Sequence, residues 1–86
     1  MTREAKEDLW RIYKFGIYRF GEIQADKYLI MFYDCFDKIA SNPFMFPKVS
    51  NYKNAERYCV CGVDTIYYNI KGYEIEIITI IGRQDF

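Results

Sequence analysis

The chain has 86 residues, 51% of them apolar and 20% aromatic, too rich in core-forming side chains for a disordered segment. Twelve Lys and Arg balance twelve Asp and Glu, so the formal net charge is zero. That balance excludes a uniformly basic nucleic-acid coat or a membrane-seeking surface. There is no His, which removes the usual general base and the commonest metal ligand together. One domain spanning residues 1–86 is expected, its small core compensated by large aromatic side chains.

From Thr2 to Ser41 apolar residues recur at helical spacing. Ala5, Leu9, Ile12, Tyr13, Gly16 and Phe20 form a first stripe, opposite Glu4, Glu7, Asp8, Arg11 and Lys14. Thr2 suits an N-cap, and Glu4 suits the positive end of the helix dipole. Gly21 breaks the period, and a second stripe runs from Ala25 through Tyr28, Leu29, Phe32 and Phe36 to Ile39. Asn42-Pro43 ends that helix, because Pro disfavours helical geometry in the residue before it. The two helices form an antiparallel hairpin, and Gly16 permits their close approach.

Residues 43–55 lose the pattern and read as a loop punctuated by Pro43, Pro47, Asn51 and Asn54. The period then switches to two, giving strands at Arg57–Cys61, Thr65–Ile70 and Tyr73–Ile81, separated by Gly-containing turns. The last strand is wet at Glu74 and Glu76 and apolar on both faces near its end, as a central strand would be. The pattern is that of an α+β domain, a helical hairpin packed on one face of a three-stranded antiparallel sheet.

Cys35, Cys59 and Cys61 are an odd set, which argues against a secreted disulfide scaffold. Cys59 and Cys61 point to one face of a strand, a poor arrangement for bridging each other. Without His they cannot complete a recognisable zinc set, so they read as small buried apolar side chains. No metal or cofactor is expected. No basic-then-apolar leader opens the chain, and no run approaches about 18 apolar residues. Cytoplasm is the expected address, with no membrane partner.

Candidate chemistry is scarce. Ser-His and Cys-His nucleophiles have no base, no Gly-rich phosphate loop exists, and Glu74 and Glu76 read as a solvated edge. A cationic set remains: Lys48, Lys53, Arg57 and Arg83, against Glu56 and Asp85. Arg83 either pairs with Asp85 or contacts a phosphate or carboxylate, for which an Arg fork is suited. Tyr67, Tyr68 and Tyr73 lie near these cations in sequence, where aromatic rings stack on bases in some proteins. Direct nucleic-acid binding is nonetheless not expected from a neutral chain. No catalytic residue is assigned.

Six short motifs in order carry a resemblance. They are Glu4-Ala5-Lys6-Glu7-Asp8-Leu9 with Ile12-Tyr13, Gly21-Glu22-Ile23-Gln24-Ala25 with Tyr28, and Phe36 to Pro43. After these come Arg57 opening a strand, Ile66-Tyr67-Tyr68, and Ile77 to Asp85. Together they resemble the RelE/ParE toxin superfamily of bacterial toxin–antitoxin modules, its ParE branch most closely. Two departures stand out. The family's short strand before the first helix is missing or truncated here, and Gly82 replaces the frequent His of the terminal motif.

The resemblance implies a type II toxin neutralised by a ParD-like or other ribbon-helix-helix antitoxin. It further implies DNA gyrase as target, and roles in plasmid stabilisation or stress response. Target contacts would fall to Arg57, Arg83, Asp85 and Tyr67. Antitoxin contacts would fall to Trp10, Phe15, Phe20 and Tyr33, aromatic residues beyond what one helix stripe can bury. A missing first strand would leave unpaired backbone groups on the sheet, for water, a partner strand or a second copy in a homodimer to satisfy. Two alternatives stay open, a RelE-like ribosome-dependent mRNA endonuclease and a binding module without toxicity.

Overall fold

The computed structural model describes residues 1–82, apart from the side chain of residue 51. Helix α1 spans Arg3–Phe20 and α2 spans Glu22–Ser41, with Gly21 alone between them. Such an abrupt link needs a backbone that side chains resist, and Gly21 has φ 89°. Thr2 caps α1 as expected, its hydroxyl accepting from the Ala5 amide at 3.1 Å. Gly16 faces Ala25, whose Cβ would lie 3.4 Å from any Cβ placed at Gly16. The helices touch closely there because one of them has no side chain.

Four strands follow: β1 Lys48–Tyr52, β2 Ala55–Cys61, β3 Asp64–Lys71 and β4 Glu74–Gly82. They form an antiparallel meander ordered β1-β2-β3-β4. The hairpin-on-meander architecture is the expected one, but the sheet has four strands where the pattern shows three. The additional strand β1 lies inside the segment read as loop. It starts directly after Pro47, where no ladder N–H is required of the proline, and the Pro47 carbonyl accepts from the Tyr58 amide at 3.1 Å. Tyr52 pairs with Ala55, so Lys53 and Asn54 make a two-residue turn with φ of 49° and 64°. This is the primed geometry usually announced by Asn-Gly, and Lys-Asn conceals it.

The core joins Ala5 and Ile12 of α1, Phe32, Cys35 and Ile39 of α2, and one face of the sheet. That face carries Cys59, Cys61, Ile66, Tyr68, Ile77 and Ile80. Tyr68 is fully buried, and its hydroxyl donates to the Pro43 carbonyl at 2.6 Å. A buried phenol without that acceptor would be costly.

Two expectations are corrected. Strand β4 is an edge strand, although its apolar end reads as central. Its outer edge is flanked by α1 instead of another strand. The Thr2 amide donates to the Ile77 carbonyl at 2.9 Å, and the Thr2 hydroxyl donates to the Ile78 carbonyl at 2.7 Å. A register shift between the Tyr67–Thr79 and Tyr68–Ile77 pairs accompanies these contacts. Further along, one Asp8 oxygen accepts from the Thr79 hydroxyl at 2.6 Å and the Ile80 amide at 3.0 Å. Secondly, Cys35 and Cys61 form a disulfide that ties α2 to β2, with Cα atoms 6.4 Å apart. Only the packing of α2 on β2 brings them together, so sequence spacing cannot show the pair. Cys59 remains a buried free thiol, as read. Closing a separation of 26 residues is worth about 3–4 kcal/mol in the chain-entropy account.

Replacing Asp8 by Ala strands the Thr79 hydroxyl, 1% exposed, and the Ile80 amide, 0% exposed. Urea denaturation of Asp8→Ala should show a loss of about 2–4 kcal/mol. Lys71→Ala, which breaks the exposed Lys71–Glu76 pair at 2.9 Å, should stay within about 0.5 kcal/mol.

Candidate functional site

The hairpin carries more apolar surface than the sheet can cover. A groove of about 630 Å³ opens between α1 and α2 where Ile12, Phe15, Phe20, Tyr28 and Phe32 face it. Val63, in the turn between β2 and β3, is the one sheet-side residue on its wall. A second hollow of about 500 Å³ lies beside Trp10 and Tyr33 and shares Leu9, Tyr13 and Leu29 with the first. Between them the Tyr13 hydroxyl donates to Asp26 at 2.5 Å, tying one helix to the other. Each hollow has one charged lining residue, Arg19 in the first and Lys6 in the second.

All four aromatic residues named for partner binding are exposed: Trp10 57%, Phe15 40%, Phe20 66% and Tyr33 53%. They do not form one patch. Phe15 and Phe20 line the larger groove, whereas Trp10 and Tyr33 line the second hollow. Trp10 stacks on Tyr13 with ring centroids 6.0 Å apart, and the Lys14 ammonium sits 5.4 Å from its ring centroid. Arg19, Val63 and Tyr28 also line the groove; the sequence marks Tyr28 only as part of the helical stripe and motif, and marks neither Arg19 nor Val63 as a site residue. Their signal is weak, because Val63 joins the site through a turn some 40 residues away along the chain.

The residues named for target contact separate as well. Arg57 pairs with Tyr68, while its neighbour Tyr58 pairs with Tyr67. Successive strand residues point to opposite faces, so Arg57 and Tyr67 do not converge. Arg57 donates to the carbonyls of Phe46 at 2.7 Å and Phe44 at 3.3 Å and lies over the Phe44 ring. It therefore pins the segment between α2 and β1. Tyr67 lies on the other face with Tyr52 and Tyr58, ring centroids 4.6 and 6.2 Å away. Arg83 and Asp85 lie outside the described residues. Arg57 is level with Ile77 across β3, and Gly82 is level with Asp64 at the far end of the sheet.

A family profile described as the ParE toxin of the type II toxin–antitoxin system parDE matches residues 1–85. The chain belongs to the ParE toxin family. Its fold is similar to a solved structure titled "Chromosomal ParDE TA system from P. aeruginosa", with a TM-score of 0.71 at 22% identity. That match covers 94% of this chain and 89% of the other. No curated relative matches significantly. Among the described residues no helix is long and apolar enough to cross a membrane, and no group of three or more metal-ligating side chains occurs.

The rim of this ParE-family groove is held by half-buried Tyr28 against buried Asp64. The Tyr28 hydroxyl donates to Asp64, which is 0% exposed, and accepts from the Val63 amide at 3.4 Å. Burial first, and then the Asp64 carboxylate, push the Tyr28 phenol well above its ordinary value. Burial likewise raises Tyr68, and it raises Tyr67 together with its tyrosine neighbours. A raised folded-state pKa means the native state keeps protons that the unfolded chain releases. The associated stability is full below about pH 10 and is lost as pH climbs through the higher native values. Buried Cys59 is raised in the same way, so melting temperature should hold flat from pH 7 to about 8, begin to fall above about 8.5 and fall faster above about 10. In Tyr28→Phe, which starts lower, that alkaline fall should be shallower.

Proposed function

We propose that the chain is a cytoplasmic toxin kept silent by an antitoxin segment laid along its helical hairpin, and that the freed toxin acts by binding DNA gyrase. The observation that carries the antitoxin half is the hairpin's uncovered apolar surface. It holds two adjoining hollows, lined by aromatic and aliphatic side chains with one cation each and no carboxylate. An amphipathic helix, laid as knobs into such a groove, is the occupant this shape suits. The parDE description of the matching family and the ParDE title of the similar structure support an antitoxin as that occupant.

The gyrase half rests on family membership. Its support within the fold is a second surface, remote from the hairpin, where Tyr52, Tyr58 and Tyr67 cluster on the open face of the sheet. Tyr67 would make direct contact there. Arg57 would act by holding the Phe44–Phe46 segment in place. Arg83 and Asp85, outside the described residues, stay as proposed target contacts.

Expression in bacteria without the antitoxin should give growth arrest, filamentation and DNA breaks. Cleaved transcripts would replace the gyrase reading with an endonuclease, and unimpaired growth would point to a non-toxic binding module. Trp10→Ala and Phe20→Ala should each weaken antitoxin binding at least about tenfold, as truncated aromatic anchors do. Because both side chains are mostly exposed, their melting temperatures should stay within about 3 °C of the parent. The opposite ordering would assign them to the fold.

A further inference from the structure

The disulfide lies directly behind the groove wall. Cys61 ends β2, Gly62 and Val63 form the turn, and Val63 lines the groove. On the other side of the bond, Cys35 sits one helical turn beyond Met31 and two beyond Tyr28. The turn is jammed against those same residues. A Cβ at Gly62 would meet Met31 Cε at 2.8 Å and Tyr28 Oη at 2.9 Å, and Gly62 has φ 64°. The Val63 amide reaches the Tyr28 hydroxyl at 3.4 Å. The position of the groove wall is thus set by how closely the end of β2 is held to α2, and the Cys35–Cys61 bond sets that distance.

We propose that Cys35–Cys61 is a reversible redox clip that controls the shape of the hairpin groove and therefore its capture of a partner helix. This rests on the reading of the groove as the antitoxin site and on a cytoplasmic location. Disulfides in reducing compartments are usually transient and redox-sensing. A dithiol reductant breaks the Sγ–Sγ bond by exchange through a mixed disulfide. Two electrons and two protons pass to the cysteine sulfurs, and the dithiol closes to its own disulfide. Two thiol sulfurs in van der Waals contact stand roughly 1.5–2 Å further apart than bonded ones. In a close-packed core that separation has to be taken up by movement of β2, of α2, or of both. The turn, with Gly62 already in contact with α2, is the place where it reaches the groove.

Cys59 does not substitute for either partner. It is buried on the same face of β2 as Cys61, and burial raises its thiol pKa, leaving little thiolate to attack the bridge. The clip therefore has two discrete states, bonded and open, without internal shuffling.

The test uses the whole chain in oxidised form, after dithiothreitol, and as Cys35→Ser and Cys59→Ser variants. Amide hydrogen exchange and binding of anilinonaphthalene sulfonate, an apolar anion suited to Arg19, are read well below the melting temperature. Reduction, and Cys35→Ser alike, should speed exchange at Val63 at least about tenfold relative to Ile66 in the central strand β3. The dye's Kd should change at least about threefold. Cys59→Ser should behave like the oxidised parent. After equilibration in millimolar reduced glutathione and an acid quench, alkylation in denaturant should then label all three cysteines.

A uniform rise in exchange at Val63 and Ile66 with unchanged dye affinity would make the bond a staple only and overturn the proposal. So would labelling of Cys59 alone in the glutathione buffer. Val63→Asp separates the two readings. If it leaves dye binding unaltered, the groove is not the apolar site and the antitoxin reading loses its support. The Val63-to-Ile66 exchange ratio then decides the clip by itself.

Discussion

The structure depends on how α1 closes the outer edge of β4. An edge strand with its carbonyls and amides turned to solvent invites pairing with other chains. Here a helix does the closing, and a helix cannot offer a ladder, so single groups must serve. The Thr2 backbone and hydroxyl take two carbonyls, and one carboxylate oxygen of Asp8 takes an amide and a hydroxyl. These contacts lie between Thr2 and Asp8, one and a half turns of α1. They fix the helix to the sheet in both direction and rotation. Everything on the far half of the hairpin, including the groove, is oriented from that anchorage.

Much of this architecture is legible in the sequence because it follows from period. Both helices, the Thr2 cap, the Gly21 link and three strands follow from apolar spacing and turn residues. The fourth strand is hidden because its turn, Lys53-Asn54, uses positive φ without Gly, and because β1 has little alternation. The edge position of β4 is hidden for another reason. Burial on both faces looks the same whether the neighbour is a strand or a helix end. Disulfide pairing is a third kind of omission, since Cys35 and Cys61 meet only through tertiary packing.

The candidate site divides in the same way. Surplus aromatics on the hairpin are visible as a count, and Trp10, Phe15, Phe20 and Tyr33 are indeed at the surface. Their arrangement into two hollows is not visible, because it depends on the angle at Gly21 and on a turn from the sheet. Arg57 shows the opposite case. An arginine expected to open a strand reads as a ligand contact, yet Arg57 is the third residue of β2 and its guanidinium donates to two backbone carbonyls of the preceding loop. Tyr67 and Arg57, close in type and in expectation, are separated by the thickness of the sheet because one residue of register changes the face.

Trp10 is the chain's single tryptophan, and it stands in solvent with Lys14 above it, at the lip of the second hollow. Its emission is therefore an inherent, label-free reporter of the outer hairpin. It is poorly placed to sense the sheet or the disulfide. Melts followed by tryptophan emission would describe the hairpin's surroundings, whereas tyrosine signals, with rings on both helices and both faces of the sheet, would average over the whole domain.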